Sequence, residues 1–235
     1  MSGTLYLLPT FLSAENLLMI PPAVLPAAEA CDFFIVENAR TTRRYLRSIG
    51  YKKNFDTEVI MYEMNKHSSG QDFSVLKEVA TGKTAAILSE AGMPCVADPG
   101  FVYVARAHAL GINVIPISGP NSLVLALAAS GFSGNCFTMQ GYLPVSSPER
   151  KKEIRRLEEE VISSGTTQIF IETPYRNQAL LQDIVQTCRP NTMLCLAVDI
   201  TLPSSIIRTQ SVVKWKEQIP DIHKKYTVFL LGTTR

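Results

Sequence analysis

The order of apolar and polar positions divides this chain into short and longer segments that alternate. Four apolar, β-rich runs, Leu5–Leu8, Phe33–Glu37, Ala85–Leu88 and Val114–Ile117, have the length and composition of buried parallel strands. Between them, helical spacing predicts helices at about residues 22–30, 41–48, 72–80 and 100–109; in the last, Phe101, Val104, Ala105 and His108 recur at that spacing. The alternation implies a mostly parallel sheet covered on both faces. Asn121–Ser130 is apolar nearly all round and stops at Gly131, the pattern of a buried helix with a glycine C-cap. Gly, Pro and Ser then gather at Gly141–Ser147 and mark a boundary. Ser147 and Pro148 open a charged helix, with Ser147 as N-cap and Pro148 in the first helical position. Beyond it the pattern predicts a strand at 167–172, a helix at 175–187 and strands near 192–198, 205–211 and 226–232. The fold expected is two α/β domains, 1–140 and 141–235, without internal repeats.

Composition narrows the function classes. A net charge of +2 with 19% charged residues confines any nucleic-acid surface to a local patch. Cys31, Cys95, Cys136, Cys188 and Cys195 form no C-x-x-C pair, which points to free thiols in a reducing compartment, not to a disulfide scaffold or a zinc ribbon. The three histidines lie far apart and offer no metal-ligand spacing. Leu17–Ala30 is apolar and ends in Ala28-Glu-Ala30, like a signal-peptidase site, but no Lys or Arg precedes Arg40 and Pro21, Pro22 and Pro26 interrupt it. No run approaches the roughly 18 apolar residues of a membrane span. The expectation is a cytoplasmic protein with no membrane partner and no metal.

Charge is patterned in two places. Asn38–Phe55 contains no acid and carries Arg40, Arg43, Arg44, Arg47, Lys52 and Lys53. On a helix Arg40, Arg44 and Arg47 share a face, where like charges repel by a few tenths of a kcal/mol per pair. A polyanion would relieve that repulsion, so Arg40, Arg43, Arg44 and Arg47 are candidate RNA contacts; a solvated helix is the alternative. Only Tyr45 and Tyr51 are nearby aromatics, too few for a stacking platform. The second cluster, Arg150, Lys151, Lys152, Arg155 and Arg156, runs into Glu158–Glu160, and its i,i+4 pairs read as ordinary helix solubility. Gly82-Lys-Thr84 resembles the end of a phosphate-binding loop, but Lys77 stands where that motif requires glycine, and a strand follows instead of a helix.

Ser89-Glu-Ala-Gly-Met-Pro-Cys-Val-Ala-Asp-Pro-Gly100 lies between a strand and a helix, at the edge where open α/β sheets bind ligands. Gly92 allows a close backbone approach, and Pro94 and Pro99 stiffen the loop. The stretch resembles the S-D-A-G-T-P-x-x-x-D-P-G signature of the tetrapyrrole-methylase superfamily. Gly3-Thr-Leu-Tyr-Leu-Leu-Pro-Thr10 is similar to the opening strand and loop of that family, and Glu37-Asn-Ala-Arg-Thr-Thr-Arg43 to its E-D-T-R-x-T-R. Ser118-Gly-Pro-Asn-Ser122, Ala129-Ser-Gly131, Gly141-Tyr-Leu-Pro144 and Ile171-Glu-Thr-Pro-Tyr-Arg176 are similar to P-G-P-S-A, S-A-S-G, G-F-L-P and Y-E-S-P-H-R, in family order. The specific likeness is to the branch that methylates a ribose 2′-hydroxyl of small-subunit ribosomal RNA, as a shorter, diverged member.

The resemblance implies a methyltransferase dependent on S-adenosylmethionine, acting on RNA, and a homodimer. It carries cofactor contacts to Pro9, Ala91, Gly92, Met93, Val96, Asn121 and Ser122, in a cleft between the two halves with Gly141–Pro144 as hinge. A ribose hydroxyl profits from a general base, for which Glu37, Glu90, Asp98 and Glu172 lie in the matching motifs. Departures concentrate elsewhere. Glu90 and Met93 replace Asp and Thr of the signature; Tyr62-Glu-Met-Asn-Lys66 stands for H-E-H-N-E; Val198-Asp-Ile-Thr-Leu202 stands for R-E-L-T-K; and Thr10-Phe-Leu-Ser-Ala-Glu15 lacks the glycine of T-P-I-G-N-L. The acceptor motifs have thus changed more than the cofactor motifs. A methylase of a tetrapyrrole or other small molecule, or a non-catalytic nucleotide- or RNA-binding module on this fold, are the alternatives.

Overall fold

In the computed structural model, which describes residues 3–13, 16–64 and 72–234, the chain divides between Asn121 and Ser122 into two units. The first contains β1 (Thr4–Leu7), α1 (Val24–Glu29), β2 (Phe33–Val36), α2 (Ala39–Ser48), β3 (Ile60–Glu63), α3 (Ser74–Ala80), β4 (Thr84–Leu88), α4 (Phe101–Ala109) and β5 (Asn113–Pro116). Its sheet has the order β3-β2-β4-β1-β5 and every pairing is parallel. Strand alternation explains how one apolar run serves two layers. Phe34, Val36, Ala86 and Leu88 pack with Val24, Ala28, Tyr45 and Leu46 of α1 and α2. Phe33, Ile35, Ala85 and Ile87 pack with Val75, Leu76, Tyr103 and Ala107 of α3 and α4.

The second unit contains α5 (Ser122–Ser130), β6 (Phe137–Tyr142), α6 (Ser147–Ser164), β7 (Thr167–Ile171), α7 (Asn177–Thr187), β8 (Met193–Val198), β9 (Ile206–Ser211), α8 (Val212–Glu217) and β10 (Thr227–Gly232). The order is β6-β7-β10-β8-β9, parallel only between β6 and β7. The parallel sheet expected from the sequence therefore holds for the first unit, while the second is mixed. One face meets α5 through Leu123, Ala126 and Leu127; the other is covered by Ile154, Leu157, Leu180, Ile184 and Trp215 of α6, α7 and α8.

Several local expectations change. The divide lies about twenty residues before the expected 140/141 boundary, because α5 packs on the second sheet and β6 pairs with β7. Gly141 is consequently not a hinge between halves: it sits inside β6 at a register shift, with φ +68°. The α5 helix is buried on one side only, with Val124 57% exposed. Ser146, with extended backbone at φ −68° and ψ 124°, is the N-cap of α6 in place of Ser147, whose hydroxyl donates to Asp183 at 3.0 Å from inside the first turn. Arg150 is also no solvated residue. Its guanidinium is buried and donates to Asp183 Oδ2 from Nε at 2.8 Å and from Nη2 at 2.5 Å, and Nη1 donates to the Val145 carbonyl at 2.8 Å. Arg156 pairs with Glu160 as spaced, but Glu159 pairs with Arg189.

Among the described residues no helix is long and apolar enough to cross a membrane, and no cluster of His, Cys, Asp or Glu could hold a metal. Asp183→Ala would leave the Arg150 charge buried without its carboxylate, which costs about 3–5 kcal/mol. Urea unfolding should show that loss as an earlier midpoint at unchanged slope.

Candidate active site

Strand order locates the site. The chain leaves β1 toward β2 on one side and leaves β4 toward β5 on the other, so these adjacent strands send their connections in opposite directions. Right-handed crossovers place the following helices on opposite faces, as the separate α1/α2 and α3/α4 layers confirm. A crevice opens at such a switch point, outside the carboxyl ends of the strands. The loops there are Pro9–Ser13 after β1, Ser89–Gly100 after β4 and Ile117–Asn121 after β5.

Backbone hydrogen bonds join these loops. Thr10 N–H donates to the Gly92 carbonyl at 3.0 Å, Gly92 N–H to Phe11 at 3.1 Å, and Met93 N–H to Pro120 at 2.9 Å. Thr10 Oγ1 donates to the Ser89 carbonyl at 3.2 Å and Ser89 Oγ to that of Gly92 at 3.2 Å. The Tyr45 hydroxyl of α2 donates to the Pro9 carbonyl at 2.6 Å, and burial raises its pKa above the usual phenol value. Gly92 has φ +74°, and a Cβ there would lie 2.9 Å from Leu12 Cδ2 and from the Pro120 oxygen. Protein atoms, not an approaching ligand, thus account for this glycine. Gly119 is similarly constrained, since its Cβ would lie 2.2 Å from Pro9 Cβ.

The rest of the β4 loop is held by a carboxylate. Cys95 and Ala97 adopt left-handed backbone at φ 67° and 62°, a conformation that costs non-glycine residues of order 1 kcal/mol or more each. Asp98 closes this turn: Oδ2 accepts from Cys95 N–H at 2.7 Å and Oδ1 from Gly100 N–H at 2.7 Å. Burial, aided by the Asp98 charge, pushes the Cys95 thiol up to about 12.

The sequence-predicted residues fall into three places. Pro9, Ala91, Gly92, Met93, Val96 and Asn121 lie on the three joined loops; Pro9 and Gly92 are buried, Ala91 and Val96 exposed. Glu37, at the end of β2, accepts from Glu90 N–H at 3.1 Å, so both carboxylates belong to this edge. Arg40, Arg43, Arg44 and Arg47 are exposed on α2, which starts beside Glu37; Arg43 pairs with Asp56 at 3.1 Å, and Arg47 lies over the Phe55 ring at 4.2 Å. Ser122 and Glu172 belong to the second unit. Glu172 Oε1 accepts from Thr173 N–H at 2.6 Å and from Arg176 at 2.7 Å, and its side chain is fully buried. Sequence reasoning did not single out Thr10, Ser89, Tyr45, Gly119 or Pro120 as loop-joining residues; their signal is long-range contact, absent from local pattern.

The donor set fits a sulfonium cofactor. None of the three loops contains Lys or Arg, and Glu37, Glu90 and Asp98 border them, so the edge tolerates positive charge on sulfur. Ala91, Val96 and Ala97 are exposed on the loop surface.

Residues 18–211 match the family of Tetrapyrrole (Corrin/Porphyrin) Methylases. The chain belongs to the tetrapyrrole methylase family. This methylase is similar to "Ribosomal RNA small subunit methyltransferase I" of Pasteurella multocida, 31% identical over 98% of the chain and 79% of the relative. The proteins of that name from Buchnera aphidicola (28%, 98% of the chain, 78% of the relative) and Halalkalibacterium halodurans (35%, 78% and 60%) are also similar. Among solved structures, the methyltransferase CobJ superposes with TM-score 0.62 at 16% identity over 98% of this chain and 93% of that one. Uroporphyrin-III-C-methyltransferase from Thermus thermophilus gives 0.54 at 16% over 100% and 94%. These last two likenesses establish the fold alone. The methylase is thus an enzyme of the S-adenosylmethionine-dependent methyltransferase class.

Three outcomes follow from this geometry. Gly92→Ala should destabilise the methylase by roughly 1–3 kcal/mol, because the new Cβ is both strained and crowded; thermal melting reads the loss, and calorimetry should show weaker cofactor binding. At pH 8 the Cys95 thiol is protonated, so Ellman's reagent should label the exposed Cys136 far faster than Cys95. Because folding raises the Cys95 pKa from 9.0 to about 12, its contribution is fully present below about pH 9 and is lost as pH rises toward 12. Cys95→Ser should therefore flatten the alkaline fall in stability.

Proposed function

We propose that this methylase transfers a methyl group to a ribose 2′-hydroxyl of small-subunit ribosomal RNA. The observation that carries the reading is similarity over 98% of the chain to relatives named as ribosomal RNA small subunit methyltransferases. When bound, S-adenosylmethionine supplies the methyl group and a sulfonium leaving group. Ala91, Gly92, Met93, Val96 and Asn121, with Pro9 as the floor beneath them and Ser122 next in the chain, hold and orient it. Positioning supplies most of the rate, as expected when little covalent chemistry is asked of the protein.

Proton acceptance from the hydroxyl is assigned to Glu90, an exposed carboxylate on the switch-point loop, with Glu37 supporting its backbone. Asp98 accepts from loop backbone through both oxygens, and Glu172 is buried and ion-paired with Arg176. Arg40 and Arg44 have no partner among the described residues and serve as phosphate contacts, whereas Arg43 and Arg47 are partly engaged with Asp56 and Phe55.

The altered acceptor motifs bear on which ribose is chosen. Glu63, which survives from the first, accepts from Ala39 N–H at 2.7 Å at the start of α2; Asn65 and Lys66 lie outside the described residues. In the second, Asp199 and Thr201 form a left-handed turn, and Asp199 Oδ1 accepts from Tyr226 N–H at 3.1 Å. The reading therefore includes a target nucleotide distinct from that of the relatives. Cytoplasmic location and a homodimer accompany it, supported by the family resemblance; light scattering at micromolar concentration checks the dimer.

Transfer of label from methyl-labelled cofactor to small-subunit RNA, but not to tetrapyrrole precursors, is the expected result. Label in a tetrapyrrole, or in neither, defeats the proposal. Ribose-methylation mapping that found full modification at the relatives' own nucleotide would remove the change of target. Arg40→Ala with Arg44→Ala should reduce the salt slope of RNA binding by about 1.4, at roughly 0.7 per single-strand phosphate contact. Cofactor affinity should stay unchanged.

A further inference from the structure

The second unit carries a cavity of about 820 Å³ that belongs to no part of the site described above. It arises because a sheet face outruns its cover. On β8 and β9, Leu196 pairs across from Arg208 and Val198 from Ile206, so all four side chains point to the α6–α8 side. Trp215 of α8 closes the near part of that face, its indole N–H donating to the Leu194 carbonyl at 3.0 Å. The helix then ends at Glu217 after only six residues, and the sheet beyond is left open.

The floor of this cavity is apolar, with Leu196, Val198, Trp215 and Ile222, while Ile206 and Ile219 on its rim are 45% and 40% exposed. Three cationic residues line it from three elements: Arg208 from β9, Lys214 from α8 and Lys225 from the loop before β10. None has an ion-pair partner among the described residues. Two acids, Glu217 and Asp221, share the rim, and Asp221 Oδ1 already accepts from His223 N–H at 2.9 Å. Arg208 alone would be explained as a charge guarding an edge strand against pairing. That explanation does not extend to Lys214 and Lys225, which lie on no strand. The volume is within the roughly 300–1,000 Å³ of ligand pockets. Cations without ion-pair partners beside exposed apolar side chains, with the amides of Gln210 and Gln218 among them, match the phosphates, ribose and base edges of a single-stranded nucleotide segment.

We propose that this groove is a second docking surface for single-stranded RNA, taking phosphates on Arg208, Lys214 and Lys225 and a base or ribose against Ile206 and Ile219. It rests on the RNA reading of the enzyme and adds a contact surface on the second unit. The test is fluorescence anisotropy of the full chain with a labelled twelve-residue oligouridylate, titrated from 50 to 200 mM salt. Arg208→Ala with Lys225→Ala should lower the salt slope by about 1.4 and weaken binding about tenfold or more at low salt. Arg208→Lys with Lys225→Arg should keep the slope, Glu217→Gln should tighten binding, and calorimetric cofactor affinity should be that of the parent in all three. An unchanged slope in the alanine variant, with the parent binding RNA, overturns the groove and leaves the RNA reading standing. No salt-dependent binding by the parent overturns both. If the alanine variant loses as much affinity for labelled polyglutamate as for RNA, the groove is an acidic-polypeptide site and the proposal fails.

Discussion

The positive φ of Gly92 is the constraint on which the active-site edge depends. With that residue in the left-handed region, its carbonyl and N–H both turn toward the loop after β1, and Met93 N–H reaches the loop after β5. Three loops from three strands become one surface through backbone hydrogen bonds, with the Thr10 hydroxyl adding a bond to the Ser89 carbonyl. Thr10, Ser89 and Asp98 bond the loop backbone through their side chains, and small residues such as Ala91 and Ala97 suffice beside them. Tyr45 fixes the same surface from beneath, by anchoring Pro9 to α2 and hence to the helix that carries the arginines. The loop after β1 and the arginine-bearing helix are thus tied by one buried hydrogen bond.

Much of this was legible in the sequence, for identifiable reasons. Strands β1, β2, β4 and β5 lie in the parallel sheet and are uninterrupted apolar runs, so pattern alone finds them. β3 escapes because it is an edge strand with Ile60 53% exposed, and β6 because Gly141 breaks its register. The α8 helix is too short to display a period. That Ser89–Gly100 is a strand-to-helix connection was legible too, since glycines and prolines punctuate it. The reason for Gly92 was not. From the sequence, a glycine there reads as room for a ligand; in the fold, Leu12 and Pro120 fill that space. Neither residue is near Gly92 in sequence, and only strand order brings them together.

Charge was read correctly as pattern and incompletely as role. The Arg40–Lys53 window holds four arginines, yet Phe55 and Asp56, just beyond it, engage two of them. Arg150 looked like part of a solvated helix and is instead a buried clamp between α6 and α7. Burial of a guanidinium depends on a carboxylate thirty-three residues away, which local spacing does not disclose.

The absence of Lys and Arg from the three joined loops has a consequence for how the molecule comes apart. Lys and Arg are missing from all three loops and from the whole interval between Arg106 and Arg150, which contains the junction at Asn121/Ser122. A trypsin-like protease has no cleavage site across that junction, however exposed the backbone becomes. Digestion by such an enzyme will keep the end of the first unit joined to the start of the second in a single fragment. Separating the two units requires a protease that cuts at apolar or aromatic residues.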